Sequence, residues 1–286
     1  MANITAQMVK ELREKTGAGM MDCKKALVAV AGDPEKAVDW LRQKGMAKAA
    51  TKSNRATAEG LVCIIKNTDQ TAYAMSSLYC ETDFVARGDK FKDQVQKIAQ
   101  IVLDKNPTTE ELVNLVGDEV KQLIATVGEN MKIGDFFRHE KSSANEVVGE
   151  YIHSNGKIAV LVWAETGKSE NVDNVDIKNL LHELAMQVTA TNPMALDGQG
   201  VDPEAIERER KVYIEKAKAD GKPDQIVAKI AEGAVQKFKK SVCLLDQPYI
   251  KEEKKAVKDV INECAKKIGD SIKVLGYKRL QLSVDN

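Results

Sequence analysis

The chain has 286 residues, 43% apolar and 30% charged, an ordinary composition for a globular protein and long enough for two or three hydrophobic cores. Its 43 Lys and Arg balance 43 Asp and Glu, and aromatics are only 5%, so neither the overall positive footprint nor the rich base-stacking surface of a direct nucleic-acid binder is evident. Residues 158–164, the longest strongly apolar run, are too few to span a bilayer and no signal-type segment opens the chain, so a cytoplasmic protein without a membrane partner is expected.

Residues 1–45 predict three short helices. Thr5 is placed to cap the first, whose apolar face carries Met8, Val9 and Leu12, and Gly17 to stop it. The second covers about residues 21–30. Asp33-Pro34-Glu35 opens the third with a capping Asp, Pro at the first helical position and an acid in the first turn; Ala37, Val38, Trp40 and Leu41 give its core face, and Gly45 ends it. So small a unit has a minimal core and no cleft, which favours docking over catalysis. Residues 1–55 carry eleven Lys and Arg against six Asp and Glu, leaving five net positive charges that an acidic partner surface would complement.

The stretch Gly17-Ala18-Gly19-Met20-Met21-Asp22-Cys23-Lys24 superficially suggests a phosphate loop. It lacks a Gly before Lys24 and a Ser or Thr after it, and a helix precedes it where a strand is required, so no nucleotide site is expected. Met20 and Met21 either fill the core between helices or offer flexible thioethers to a partner. Residues 45–55, rich in Ala, Lys, Ser and Asn, read as a linker or as a solvated helical extension.

Two strand-like runs follow, residues 61–66 and 71–79, joined by a turn at 67–70 and succeeded by the helix stripe Phe91, Val95, Ile98, Val102. About ninety residues on, the order recurs as a strand at 147–153, a turn, a strand at 158–165 and a helix through Leu180, Leu181, Leu184 and Val188. A helix at 110–127 and an extended segment at 131–139 lie between. Beyond them, Ile206, Val212, Tyr213 and Ala217 fit one stripe and Ile226, Val227, Ile230, Ala234 and Phe238 another, with a turn at Gly221-Lys222-Pro223. A helix through Ile261, Cys264 and Ile268 and a strand at 272–282 complete the chain. The expected fold is α+β: a three-helix docking module with its linker (1–55), a first core subdomain (56–140) and a second (141–286) carrying an antiparallel helical hairpin at about 200–240.

Five cysteines, scattered, odd in number and never in a Cys-x-x-Cys pair, read as reduced thiols, and three isolated histidines give no metal signature. No catalytic residue, metal or cofactor is therefore expected. The segment Cys80-Glu81-Thr82-Asp83-Phe84-Val85-Ala86-Arg87 offers a carboxylate and a large aromatic without a nucleophile–base pair, equipment for acting on a partner. Thr82 or Asp83 can cap the turn that follows. Phe84 lies seven residues before Phe91, so an unbroken helix puts it in the core, whereas an interruption at Gly88 leaves it on a protruding turn. A thiol enzyme built on Cys80 would need an activating His that the local sequence lacks.

With this order in view, the run Leu12-Arg13-Glu14-Lys15-Thr16-Gly17-Ala18-Gly19-Met20-Met21-Asp22-Cys23-Lys24-Lys25-Ala26-Leu27 resembles the first signature of bacterial translation elongation factor Ts, and Thr82-Asp83-Phe84-Val85-Ala86 resembles the second. The resemblance implies a module related to ubiquitin-associated domains, a two-part core and a coiled-coil arm. It further implies guanine nucleotide exchange on elongation factor Tu, with GDP and magnesium held by that partner. By similarity, Thr82, Asp83, Phe84 and Val85 would disturb the partner's magnesium site, Arg13, Met20 and Met21 would dock the module, Val127 and Gly128 would continue the core contact, and His153 would meet the partner's third domain. Homodimerisation through the hairpin occurs in parts of that family. A non-catalytic adaptor docking through the three-helix module is the alternative. Ser77 and Tyr79 depart from the acid and Asn usual ahead of the second motif.

Overall fold

The computed structural model describes residues 4–153 and 155–282. Among these residues ten α-helices and small sheets make an α+β protein that divides into two compact units, residues 4–140 with 155–157 and 280–282, and residues 141–153 with 158–279.

The first unit begins with α1 (Ala6–Thr16), α2 (Met20–Ala29) and α3 (Pro34–Ala50). Thr5 caps α1 by accepting from the Met8 N–H at 3.2 Å, and Gly17 takes the left-handed conformation that stops it. Asp33 Oδ1 accepts from the N–H groups of Glu35 and Lys36, both at 3.1 Å, to start α3. Val9, Leu12, Cys23, Ala26, Leu27 and Ala37 are the small core. The third helix does not end at Gly45. It continues to Ala50, because a missing side chain at Gly45 lets α3 approach α6 (Thr109–Val127): a Cβ there would lie 3.2 Å from that of Ala125. Residues 46–50 are thus a helical extension of α3 rather than a linker, mostly exposed, with Ala49 buried in the neighbouring core.

The remainder of this unit is a three-stranded sheet, β1 (Glu59–Lys66), β2 (Ala72–Cys80) and β3 (Met131–Glu140), in that order and antiparallel throughout. Asn67 makes the first turn, its side-chain oxygen accepting from the N–H groups of Thr71 and Ala72. The central strand is buried along its whole length. Helix α5 (Asp89–Lys105) lays Phe91, Val95, Ile98 and Val102 on the same core as Leu78, Leu112 and Val116, as its period requires.

The second unit repeats the pattern. Strands β4 (Glu146–Ile152) and β5 (Ile158–Thr166) form a hairpin, and β8 (Ile272–Gln281) adds beside β5. Helix α7 (Val175–Thr191) packs on β4 where Gly149 leaves no room for a Cβ, which would fall 2.5 Å from Leu181. Helices α8 (Pro203–Ala219) and α9 (Asp224–Val242) pack together, with Arg210 paired to Glu232 across them, and α10 (Val257–Ile268) follows. A short hairpin, β6 (Pro248–Tyr249) and β7 (Glu252–Ala256), has no counterpart in the sequence reading. Tertiary contacts hold it: the buried Gln187 side chain donates to the Pro248 carbonyl at 3.1 Å and accepts from the Ile250 N–H at 2.8 Å.

Candidate functional site

Strand β2 delivers the chain to Cys80, where it turns away from the sheet. Thr82 is extended and caps α4 (Asp83–Ala86), its hydroxyl oxygen accepting from the Val85 N–H at 3.4 Å. Gly88, extended at φ −70 and ψ 142, then starts α5 afresh, so the two helices are separate. Ala86 is buried and Val85 packs on the same core, which fixes the rotation of this single turn. Phe84 consequently faces solvent, 84% exposed. Beside it Asp83 pairs with Arg87 at 2.9 Å.

The segment after α6 braces the turn. Gly128 ends α6 in the left-handed conformation with half-buried Val127 before it, and its carbonyl accepts from the Lys52 ammonium at 2.5 Å. Next, the Glu129 carboxylate accepts from both the Thr82 hydroxyl, at 2.6 Å, and the Thr82 N–H, at 3.0 Å. Glu81 reciprocates by accepting the Asn130 N–H at 2.6 Å, and the Asn130 amide donates to the carbonyls of Ser53 and Arg55 at 3.2 and 2.8 Å. These are charge-assisted or buried bonds, stronger than neutral surface ones. They join the turn, the end of α6 and the segment after α3 into one piece.

The turn itself holds carboxylates, a hydroxyl and an aromatic ring, with one thiol behind it. Burial and the nearby Glu129 charge push the Cys80 thiol up to about 12, and its Sγ donates to the Thr82 carbonyl at 3.2 Å. Fully buried and held protonated, the thiol is a poor nucleophile, which counts against the thiol-enzyme reading. Among the described residues no group of three or more His, Cys, Asp or Glu could hold a metal ion, and no helix is long and apolar enough to cross a membrane.

The other expected residues fall into two places. Arg13 is exposed on α1, and Met20 and Met21, 56% and 63% exposed, open α2, so the two methionines are not inter-helix core. His153 belongs to the second unit. It is exposed at the end of β4, with its Nδ1 3.4 Å from the Tyr151 hydroxyl and its N–H bonded to the Ile158 carbonyl. The Tyr151 ring also meets His182 edge-on, 5.5 Å between centroids.

Comparison with known proteins decides the family. The family model described as Elongation factor TS matches residues 81–283. The chain is 59% identical to Elongation factor Ts of Desulfovibrio desulfuricans over 286 residues, all of both chains. This chain belongs to the elongation factor Ts family. Elongation factor Ts of Nitratidesulfovibrio vulgaris is 47% identical over 99% of this chain and 96% of its own length, and that of Lawsonia intracellularis is 44% identical over 98% and 99%. Membership of that family places the protein in translation and protein biosynthesis.

Two features of the site escape sequence reasoning. Glu129 follows a helix stop and carries no local signal of its role, since its partner Thr82 is 47 residues away. Val28, 61% exposed, lies two turns along α2 from Met21 and extends the apolar surface there; its helical spacing could have flagged it. Ser77 and Tyr79, by contrast, are buried beside Gly134, whose missing side chain makes room for both. They fit the sheet and offer no surface.

Proposed function

We propose that this protein is a guanine nucleotide exchange factor that binds elongation factor Tu in its GDP form and promotes GDP release in the cytoplasm. The observation that carries the reading is a phenylalanine left 84% exposed on a turn that is itself braced by the segments after α6 and α3. A large exposed apolar side chain costs solubility and is retained where a partner covers it. A braced turn loses little entropy on docking and can transmit force to what it meets.

In this reading Phe84 enters the GTPase domain and Asp83 accompanies it, while Thr82 and Val85 hold the turn and Val127 and Gly128 extend the contact. Arg13, Met20 and Met21, with Val28 beside them, dock the three-helix module, which takes the part of a ubiquitin-associated-like domain. His153 meets a further domain of the partner from the second unit. The helical pair α8 and α9 acts as the coiled-coil arm and the site of any homodimer. The factor holds no nucleotide, metal or cofactor of its own; it acts on the GDP and magnesium of elongation factor Tu. Because coupling between two ligands is reciprocal, it binds nucleotide-free elongation factor Tu more tightly than the GDP complex.

Stopped-flow release of fluorescent GDP from elongation factor Tu tests the reading. Acceleration on adding this chain is expected. Binding to elongation factor Tu without acceleration would replace exchange by the adaptor reading, and a stoichiometric GDP complex of this chain alone would overturn both.

A further inference from the structure

Where the α1–α2 connection and α3 face α6, the first unit forms a half-open cavity of about 610 Å³. That lies within the roughly 300–1,000 Å³ of small-molecule sites. The expectation of no cleft applied to the three helices alone; α6 supplies the missing wall. Half-buried Val38, Trp40 and Leu41 give an apolar lining, closed by Ala125 of α6. Five cations against one carboxylate, Asp22, line the same space. Lys48 is taken up by Asp22 and Arg42 by Asp118, whereas no ion pair among the described residues engages Lys15, Lys25 or Lys44. The Lys44 ammonium lies 5.5 Å from the centre of the Trp40 ring. A hollow of about 380 Å³ adjoins through shared Thr16, Gln122 and Thr126, and there the Gln94 amide nitrogen is buried without a hydrogen-bond partner among the described residues.

We propose that this cavity binds an amphipathic organic anion, a compact apolar body carrying one carboxylate, sulfonate or phosphate group. An apolar body removes Val38, Trp40 and Leu41 from water, and the anionic group relieves the mutual repulsion of the unpaired ammonium groups. A neutral ligand gains only the first term and a small inorganic anion only the second, so the site selects for both together. A ligand seated here touches α1, α2 and α3 on one side and α6 on the other, so binding stabilises the packing of the three helices on α6. The inference is independent of nucleotide exchange and of Phe84.

The full chain labelled with 5-fluorotryptophan gives two resonances, from Trp40 and Trp163, assigned with Trp163→Phe. The probe is 8-anilinonaphthalene-1-sulfonate, compared with neutral N-phenyl-1-naphthylamine. The Trp40 resonance is expected to shift saturably at one-to-one stoichiometry while Trp163 stays in place, with the neutral compound at least tenfold weaker. Lys25→Glu combined with Lys44→Glu should weaken the sulfonate at least tenfold at a parental melting temperature. If charge reversal disturbs folding, Lys25→Gln with Lys44→Gln asks the same question. No saturable shift up to millimolar probe, an equal response at Trp163, equal affinity for the neutral compound, or unchanged affinity in a folded double variant would each overturn the proposal.

Discussion

Phe84 and Phe91 are the same residue seven positions apart, and they end in opposite environments, 84% and 1% exposed. Heptad spacing puts two side chains on one helix face only if the helix is continuous between them. Here it is not, because Gly88 is extended and starts α5 anew. The stripe from Phe91 onward obeys helical period and packs as a core. The turn before it obeys a different set of constraints: a Thr82 cap, buried Ala86 and a carboxylate brought from 47 residues away. One residue type can therefore be core or surface according to a single backbone break.

The largest expected effect tests the buried member of this pair. Phe91→Ala removes a ring from the centre of the first core and should cost about 3–5 kcal/mol of stability, read by urea unfolding. If the loss stayed below ~1 kcal/mol, the contrast with Phe84 would collapse. The brace comes next. Glu129→Gln leaves Thr82 facing an uncharged amide and should cost about 1.5–3 kcal/mol while slowing GDP release from elongation factor Tu, since hydrogen bonds to a charged group are being removed. Unfolding and stopped-flow exchange on one preparation check both halves of that statement.

Phe84→Ala should reverse the pattern of Phe91→Ala. Melting is expected to match the parent, and GDP release to slow tenfold or more, a barrier change of about 1.4 kcal/mol per decade. An early melt with normal exchange per folded molecule would make Phe84 structural after all. The smallest effect probes how far bracing reaches into the three helices. The Arg42 guanidinium, hydrogen-bonded to Asp118, holds that carboxyl below its ordinary 3.8. A lowered folded value means the contact stabilises above the unfolded value and is lost as pH falls through the folded one. Amide exchange in the second half of α3 should therefore be slower in the parent than in Asp118→Asn at neutral pH, with the difference vanishing below the ordinary carboxylate range.

The residues themselves determined the α+β class, the three N-terminal helices, the recurrence of hairpin then helix, and the paired stripes of α8 and α9. Each depends on local rules: caps at Thr5 and Asp33, the turn at Asn67, and periods of 2 and 3.6. The two signature runs carried the family. What local rules could not reach were the features held by distant partners. Gly45 looked like a stop and is instead a point of close approach to Ala125, eighty residues on. The β6–β7 hairpin has strands too short to announce themselves and rests on Gln187. The orientation of Phe84 was open between core and surface, because sequence spacing does not say whether a helix continues through a glycine. Tertiary structure decided it: Ala86 and Val85 bury one side of the turn and Glu129 anchors its start, so the remaining side chain is left in water.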